Sequence, residues 1–328
     1  MCLVGFLCRP QTVMGTAPFA LVMLLLAAAP SAADPRSVPE PQPMAEESFQ
    51  ILLVEGTLSD LEQGCVEAAA FELSDRQQQL RDRLLSVNPT PQTMDEVLSN
   101  ARVLLTCRSP EGARTVLSRY LPGAGAERER WLRLSWQAAD AALDHPRAAR
   151  ALRRLVNGDL LALEQLELVE APGASAEPGE PVMVNGLDQL AHHEEAAGDR
   201  LAAAEVLLSG RSIGRVAARR LGRAAELLAE EDFDRADQLL ELALDQAAAD
   251  EAWGLAVDLL RVQLRLQLAA GGDGERPRQR LERLTARLDD QYSSWQLQDV
   301  GEPGPALRSP RDPGGHAAVE PLTDAPLP

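Results

Sequence analysis

Apolar residues recur at intervals of three and four along most of the chain, in stretches broken by Pro, Gly and Asn. That is the spacing of amphipathic helices, not the strict alternation of strands. Thr57 or Ser59 caps a helix predicted to run to Leu85, with Leu61, Cys65, Ala68, Leu73, Leu80 and Leu84 along its apolar stripe. The turn at Asn88–Pro91 stops it, and Thr93 with Glu96 has the form of a capping box opening the next helix. Ser109 followed by Pro110 marks another start, with Ala113, Val116 and Leu117 on the apolar side. A helix carrying Trp131, Leu134 and Trp136 follows, turns at Asp144–Pro146, and re-enters through Ala149, Leu152 and Val156. Asn157–Asp159 opens a shorter helix ending near Val169.

These helices make an N-terminal helical region over 56–170. A Pro/Gly-rich linker, 171–183, separates it from a C-terminal helical region over 184–298. Helices are predicted there at about 185–197, 200–208, 211–230, 232–247, 249–269 and 275–296. The one at 249–269 is apolar on two sides, with Trp253, Val257 and Leu260 on one and Leu255, Leu259 and Val262 on the other, as an internal helix of a stack requires. Trp253 and Trp295 read as packing anchors. The Pro- and acid-rich stretch 34–55 and the Pro/Gly-rich tail 299–328 are expected to be disordered.

Local patterns repeat along both regions. Pro110, Ala113 and Arg114 reappear as Pro146, Ala149 and Arg150, 36 residues on. The turn Gly198–Ala203 is echoed 33 residues later at Glu231–Ala236, and Gly272–Asp273 follows 41 residues after that. Over 217–248 the chain resembles the tetratricopeptide family, whose unit is an antiparallel helix pair of about 34 residues. Ala224 and Leu227 match that family's first helix, and Ala236, Leu240 and Ala243 its second. In the preceding unit Leu187, Leu190, Ala191, Ala203 and Leu207 fit, while Glu194 does not. Arg220 and Arg223 stand where the family has bulky apolar residues, and Ala248 where it has a helix-ending Pro. The resemblance implies an all-α fold of stacked antiparallel helix pairs, an α-solenoid, whose usual business is binding proteins.

Composition agrees with helices: aromatics are 3% of the 328 residues, and the basic residues are all Arg. The net charge of −18 makes the chain a poor ligand for nucleic acid, whose affinity comes from neutralising phosphates. The apolar run Phe19–Ala29, followed by Ser31 and Ala33, reads as a signal peptide over 1–33, cleaved before Asp34, with Met14 as an alternative start. Eleven apolar residues are about half of a membrane span. The expected location is therefore outside the cytoplasm: periplasm, secreted, or thylakoid lumen. Cys65 and Cys107 remain after cleavage; they either form a disulfide between two helices or each fill a helix contact.

Motifs for chemistry are scarce. His192, His193, Glu194 and Glu195 lack the second His four residues beyond the first that a zinc-protease helix needs, and read as the solvated face of a helix. His145 reads as a turn residue, and Ser118 and Ser135 have no triad partners by spacing. No catalytic, cofactor or metal residue is assigned, and no enzyme is expected. The least ordinary feature is an arginine ladder. Arg211, Arg215, Arg219 and Arg223 recur every four residues with Arg220 beside them, spanning about 18 Å if wholly helical. Such a strip is either a groove for an acidic peptide or a set of internally paired charges, with Glu226, Glu230 and Glu231 nearby. The sequence thus reads as an exported interaction or scaffold module, binding an envelope protein or acidic peptide through a helical face. A structural or chaperone-like helical protein is the alternative, and an unrecognised hydrolase a more distant one.

Overall fold

The computed structural model describes residues 42–87, 92–169 and 182–297. Helix α1 (Glu46–Glu55) leads into three helical hairpins: α2 (Leu58–Ala70) with α3 (Ser74–Ser86), α4 (Met94–Thr106) with α5 (Pro110–Leu117), and α6 (Ala126–Ala141) with α7 (His145–Leu155). A short α8 (Leu160–Glu164) and an antiparallel strand pair interrupt the series. Strand β1 (Glu167–Val169) pairs with β2 (Met183–Asn185), Leu168 opposite Val184. Three further hairpins follow: α9 (Gly186–Ala196) with α10 (Arg200–Leu208), α11 (Gly214–Leu228) with α12 (Phe233–Ala249), and α13 (Trp253–Ala269) with α14 (Glu275–Leu288). Helix α15 (Gln291–Leu297) packs on α14. Each hairpin packs on the next in chain order, α2 on α4, α5 on α6, α7 on α9, α10 on α11 and α12 on α13. That is the sequential stacking of an α-solenoid, and the fold is predominantly helical.

Helix starts follow directly from side chains. Thr57 and Thr93 each accept the N–H of the third residue on, while Asp60 and Glu96 accept the N–H of Thr57 and Thr93, two reciprocal capping boxes. Asp144, Asp159, Asn185, Asp199 and Asp232 cap α7, α8, α9, α10 and α12 in the same way with one side chain each. Several helices end on a left-handed residue that is not glycine: Glu72, Arg108, Leu143, Glu251 and Asp289 have φ between 50° and 55°. After each, the next N–H reaches back to a carbonyl five residues earlier, as from Leu73 to Ala68, Ser109 to Leu104 and Asp144 to Ala139. This closure satisfies the last carbonyls of one helix and turns the chain into its antiparallel partner.

Two apolar clusters form the core, and α6 contributes to both. Leu134 and Ala138 join Phe49, Leu61, Leu80, Leu98 and Leu104 on one side; Trp136 and Ala139 join Leu152, Leu187, Leu190, Ala224, Leu240 and Val257 on the other. Small residues set the spacing between α11 and its neighbours. Ala224 and Ala236 are fully buried, and a Cβ on Gly222 would run into Leu259 of α13. Cys65 of α2 and Cys107, which caps α4, form a disulfide with their Cα atoms 4.9 Å apart.

The structure differs from the sequence reading in several places. Residues 46–55, expected to be disordered, form α1, because Phe49 is buried in the first cluster beneath the Arg76 guanidinium, 4.7 Å from the ring centre. The single helix predicted over 57–85 is two, broken at the left-handed Glu72, and the one over 275–296 breaks likewise at Asp289. Strands β1 and β2 were not foreseen, since three residues are too few to show a period. Trp253 is 40% exposed and does not anchor the core. The linker drawn at 171–183 interrupts the sequence but not the packing, for the second cluster runs from Trp136 to Leu281 across it. The leader at 1–33, most of the linker and the tail at 299–328 lie outside the described residues. Among the described residues no helix is long and apolar enough to cross a membrane.

Candidate functional site

The arginine ladder does not lie on one open strip. Helix α11 starts at Gly214, so Arg211 sits in the preceding turn, its backbone N–H donated to Glu164 and its side chain exposed. Arg220 is buried at 6% exposure and holds three parts of the chain together. Its guanidinium pairs with Glu164 at the end of α8, with both oxygens of Asp188 on α9 (2.7 and 3.2 Å), and donates to Asn185 Oδ1 at 3.0 Å. Glu164 also accepts from the Ser212 hydroxyl (2.6 Å) and from the Arg211 and Ser212 N–H groups. Burial alone would raise its carboxyl, but the Ser212 hydroxyl, the two N–H groups and Arg220 together hold it at about 2. Arg220 is therefore part of the fold, a correction to its place among surface contacts.

The other members divide. Arg223 is paired with Glu195 of α9 and with Glu226 (3.0 Å), and Arg215 lies 3.4 Å from Asp250. Arg219 is exposed and makes no ion pair among the described residues. Of the acids expected to neutralise the ladder, Glu226 does so, whereas Glu230 pairs with Arg200. Between α9 and α11 runs a groove of about 440 Å³, walled by His192, Glu195, Val216, Arg219 and Arg223 with Leu207 of α10 among its lining. It combines an apolar surface with cationic and anionic groups at its edge.

Behind this groove the structure assembles something spacing did not reveal. His145, at the start of α7, meets His192 and His193 of α9, with ring nitrogens within 4.8 Å of one another. His193, expected at the surface, is fully buried. Trp136 Nε1–H donates to His193 Nε2 at 2.9 Å, and His193 Nδ1 lies 3.2 Å from His145 Nδ1. Because Nε2 accepts, the proton of the neutral His193 ring belongs on Nδ1, directed at His145. Burial, followed by the neighbouring His192 and His145, pushes His193 down to about 4, so the ring is neutral at pH 7. Asp140 of α6 lies 4.0 Å from His193 Nε2, and burial raises its carboxyl against the opposing pull of His192 and His145.

Three histidines suggest a transition-metal site, so the lone pairs decide. A metal on His193 Nδ1 would move the proton to Nε2 and set it against the Trp136 N–H. As arranged, Trp136, His193 and His145 form a hydrogen-bonded chain that joins α6 and α7 to α9, with the His192 ring packed edge-on against His145. An ion pair from Arg153 of α7 to Glu194 of α9 (2.7 Å) reinforces the same junction. A sequence separation of 47 between His145 and His192 hides this cluster from any local pattern.

No protein-family model matches the chain, and no curated protein matches it.

Proposed function

We propose that this chain is an exported, tetratricopeptide-like helical-repeat protein that binds another protein along the groove between α9 and α11. The observation that carries the reading is that groove on a stack of helix pairs, where Arg219 stands without an ion pair among the described residues beside the half-exposed Val216. An acidic segment of the partner suits Arg219, with Val216 and Leu207 taking its apolar side chains. The Cys65–Cys107 bridge and the leader-like residues 1–33 support a compartment outside the cytoplasm, such as the periplasm, the thylakoid lumen or the exterior. No residue is assigned a catalytic role.

The test is capture from the native extracytoplasmic fraction, comparing the mature chain with its Arg219→Glu variant after both give the same helical circular dichroism. A specific protein retained by the first and lost by the second is the expected result. Equal recovery would remove this groove from the reading.

A further inference from the structure

A second set of arginines lies on the other helices of the stack. Arg147, Arg150 and Arg154 fall at i, i+3 and i+7 of α7, which places them on one face. Arg114 of α5 faces them across a cavity of about 560 Å³ whose apolar wall includes Trp131 and Leu132 of α6. Arg114 and Arg147 share one carboxylate, Asp144, at 3.4 and 2.7 Å. Arg150 and Arg154 are exposed and have no ion pair among the described residues. Among the described residues, Glu111 is the one acid lining the cavity, against four guanidinium groups. Ser135, also in the wall, has a buried Oγ with no hydrogen-bond partner among the described residues. Trp131 already donates its N–H to the Leu117 carbonyl at 3.1 Å, which leaves the ring as apolar surface.

Four cations around an apolar wall, in a chain of net charge −18, specify a ligand by charge and by shape. Asp144 shows the chemistry on a small scale, one carboxylate held between two of these arginines. We propose that the cavity between α5, α6 and α7 binds a ligand carrying two or more carboxylates, held by Arg150 and Arg154 with its hydrocarbon part against Trp131 and Leu132. The planar fork of a guanidinium matches a carboxylate with two parallel N–H donors. The site is separate from the α9–α11 groove and does not depend on a partner binding there. The same carboxylates come either from a free small acid or from acidic side chains of a peptide.

Isothermal titration of the mature chain with citrate, and separately with a capped tetraglutamate peptide, distinguishes the two sources. At least one probe is expected to bind at 0.15 M salt with one-to-one stoichiometry. Its affinity should fall at least tenfold in the Arg150→Gln/Arg154→Gln double variant and hold in Arg287→Gln, which changes an exposed arginine of α14 outside both sites. Both variants change exposed side chains, so circular dichroism should be identical for all three proteins. Binding of neither probe overturns the proposal. So does binding that survives the double variant, or that Arg287→Gln weakens equally, since either places the anion elsewhere.

Discussion

Arg220 shows how a residue conspicuous in the sequence acquires its role from partners far along the chain. Its place beside the ladder is legible, and so is its departure from the apolar residue a tetratricopeptide helix places there. What the sequence does not show is that Glu164, Asn185 and Asp188 converge on it, since they precede it by 32 to 56 residues. The ladder was a sound pattern with a mixed meaning: Arg220 is buried, Arg215 and Arg223 are paired at the surface, and Arg219 is open. Replacing Arg220 with Ala strands the part-buried Glu164 carboxylate and is expected to cost about 3 kcal/mol of stability. Arg219→Ala, by contrast, should change stability by less than about 0.5 kcal/mol. Urea denaturation of the two variants beside the parent checks both figures, and equal midpoints for all three would refute the structural role of Arg220.

At the scale of elements, starts were easier to read than ends. Thr57, Thr93, Pro110 and the Asp and Asn caps announce helix N-termini through side chains whose chemistry is local. The ends at Glu72 and Asp289 carry no glycine, the residue that normally marks a left-handed closure, so the sequence predicts both helices too long. Helix α1 was hidden by the prolines and acids before it, although Phe49 and Leu52 supply its apolar contacts. The junction of α6 and α7 with α9 was invisible for another reason: its histidines pair across the strand hairpin. That junction should make the protein sensitive to acid. His193 has a folded value near 4 against 6.5 for a free histidine, so the unfolded chain binds the extra proton between those values. Its contribution is complete above pH 6.5 and declines as pH falls toward 4, by at most about 3 kcal/mol. Asp140 is the carboxylate facing the charged form, with His145 and His192 opposing it. Melting temperatures from pH 7 to 4 should fall in the parent and fall less steeply in His193→Gln, whose amide keeps an acceptor for Trp136. Identical slopes would mean that His193 is not the group titrating.

For the whole molecule, the helical class and the stacking of hairpins were legible because a 3.6-residue period and recurring turns are properties of the sequence itself. The division into two regions rests on composition, and a Pro/Gly-rich composition marks a linker, not the end of a core. Leu152 and Leu163, from before residues 170–181, share one apolar cluster with Leu187 and Leu190, from after it. Both binding proposals require that continuity, since α7 and α9 must hold their neighbours in place for either surface to keep its shape. The most direct measurement is to insert a protease site within residues 171–180, cleave the folded protein, and follow the two pieces by size-exclusion chromatography at micromolar concentration. A continuous stack predicts one peak containing both pieces and a single cooperative unfolding transition. Two separated peaks, each with its own transition, would contradict it.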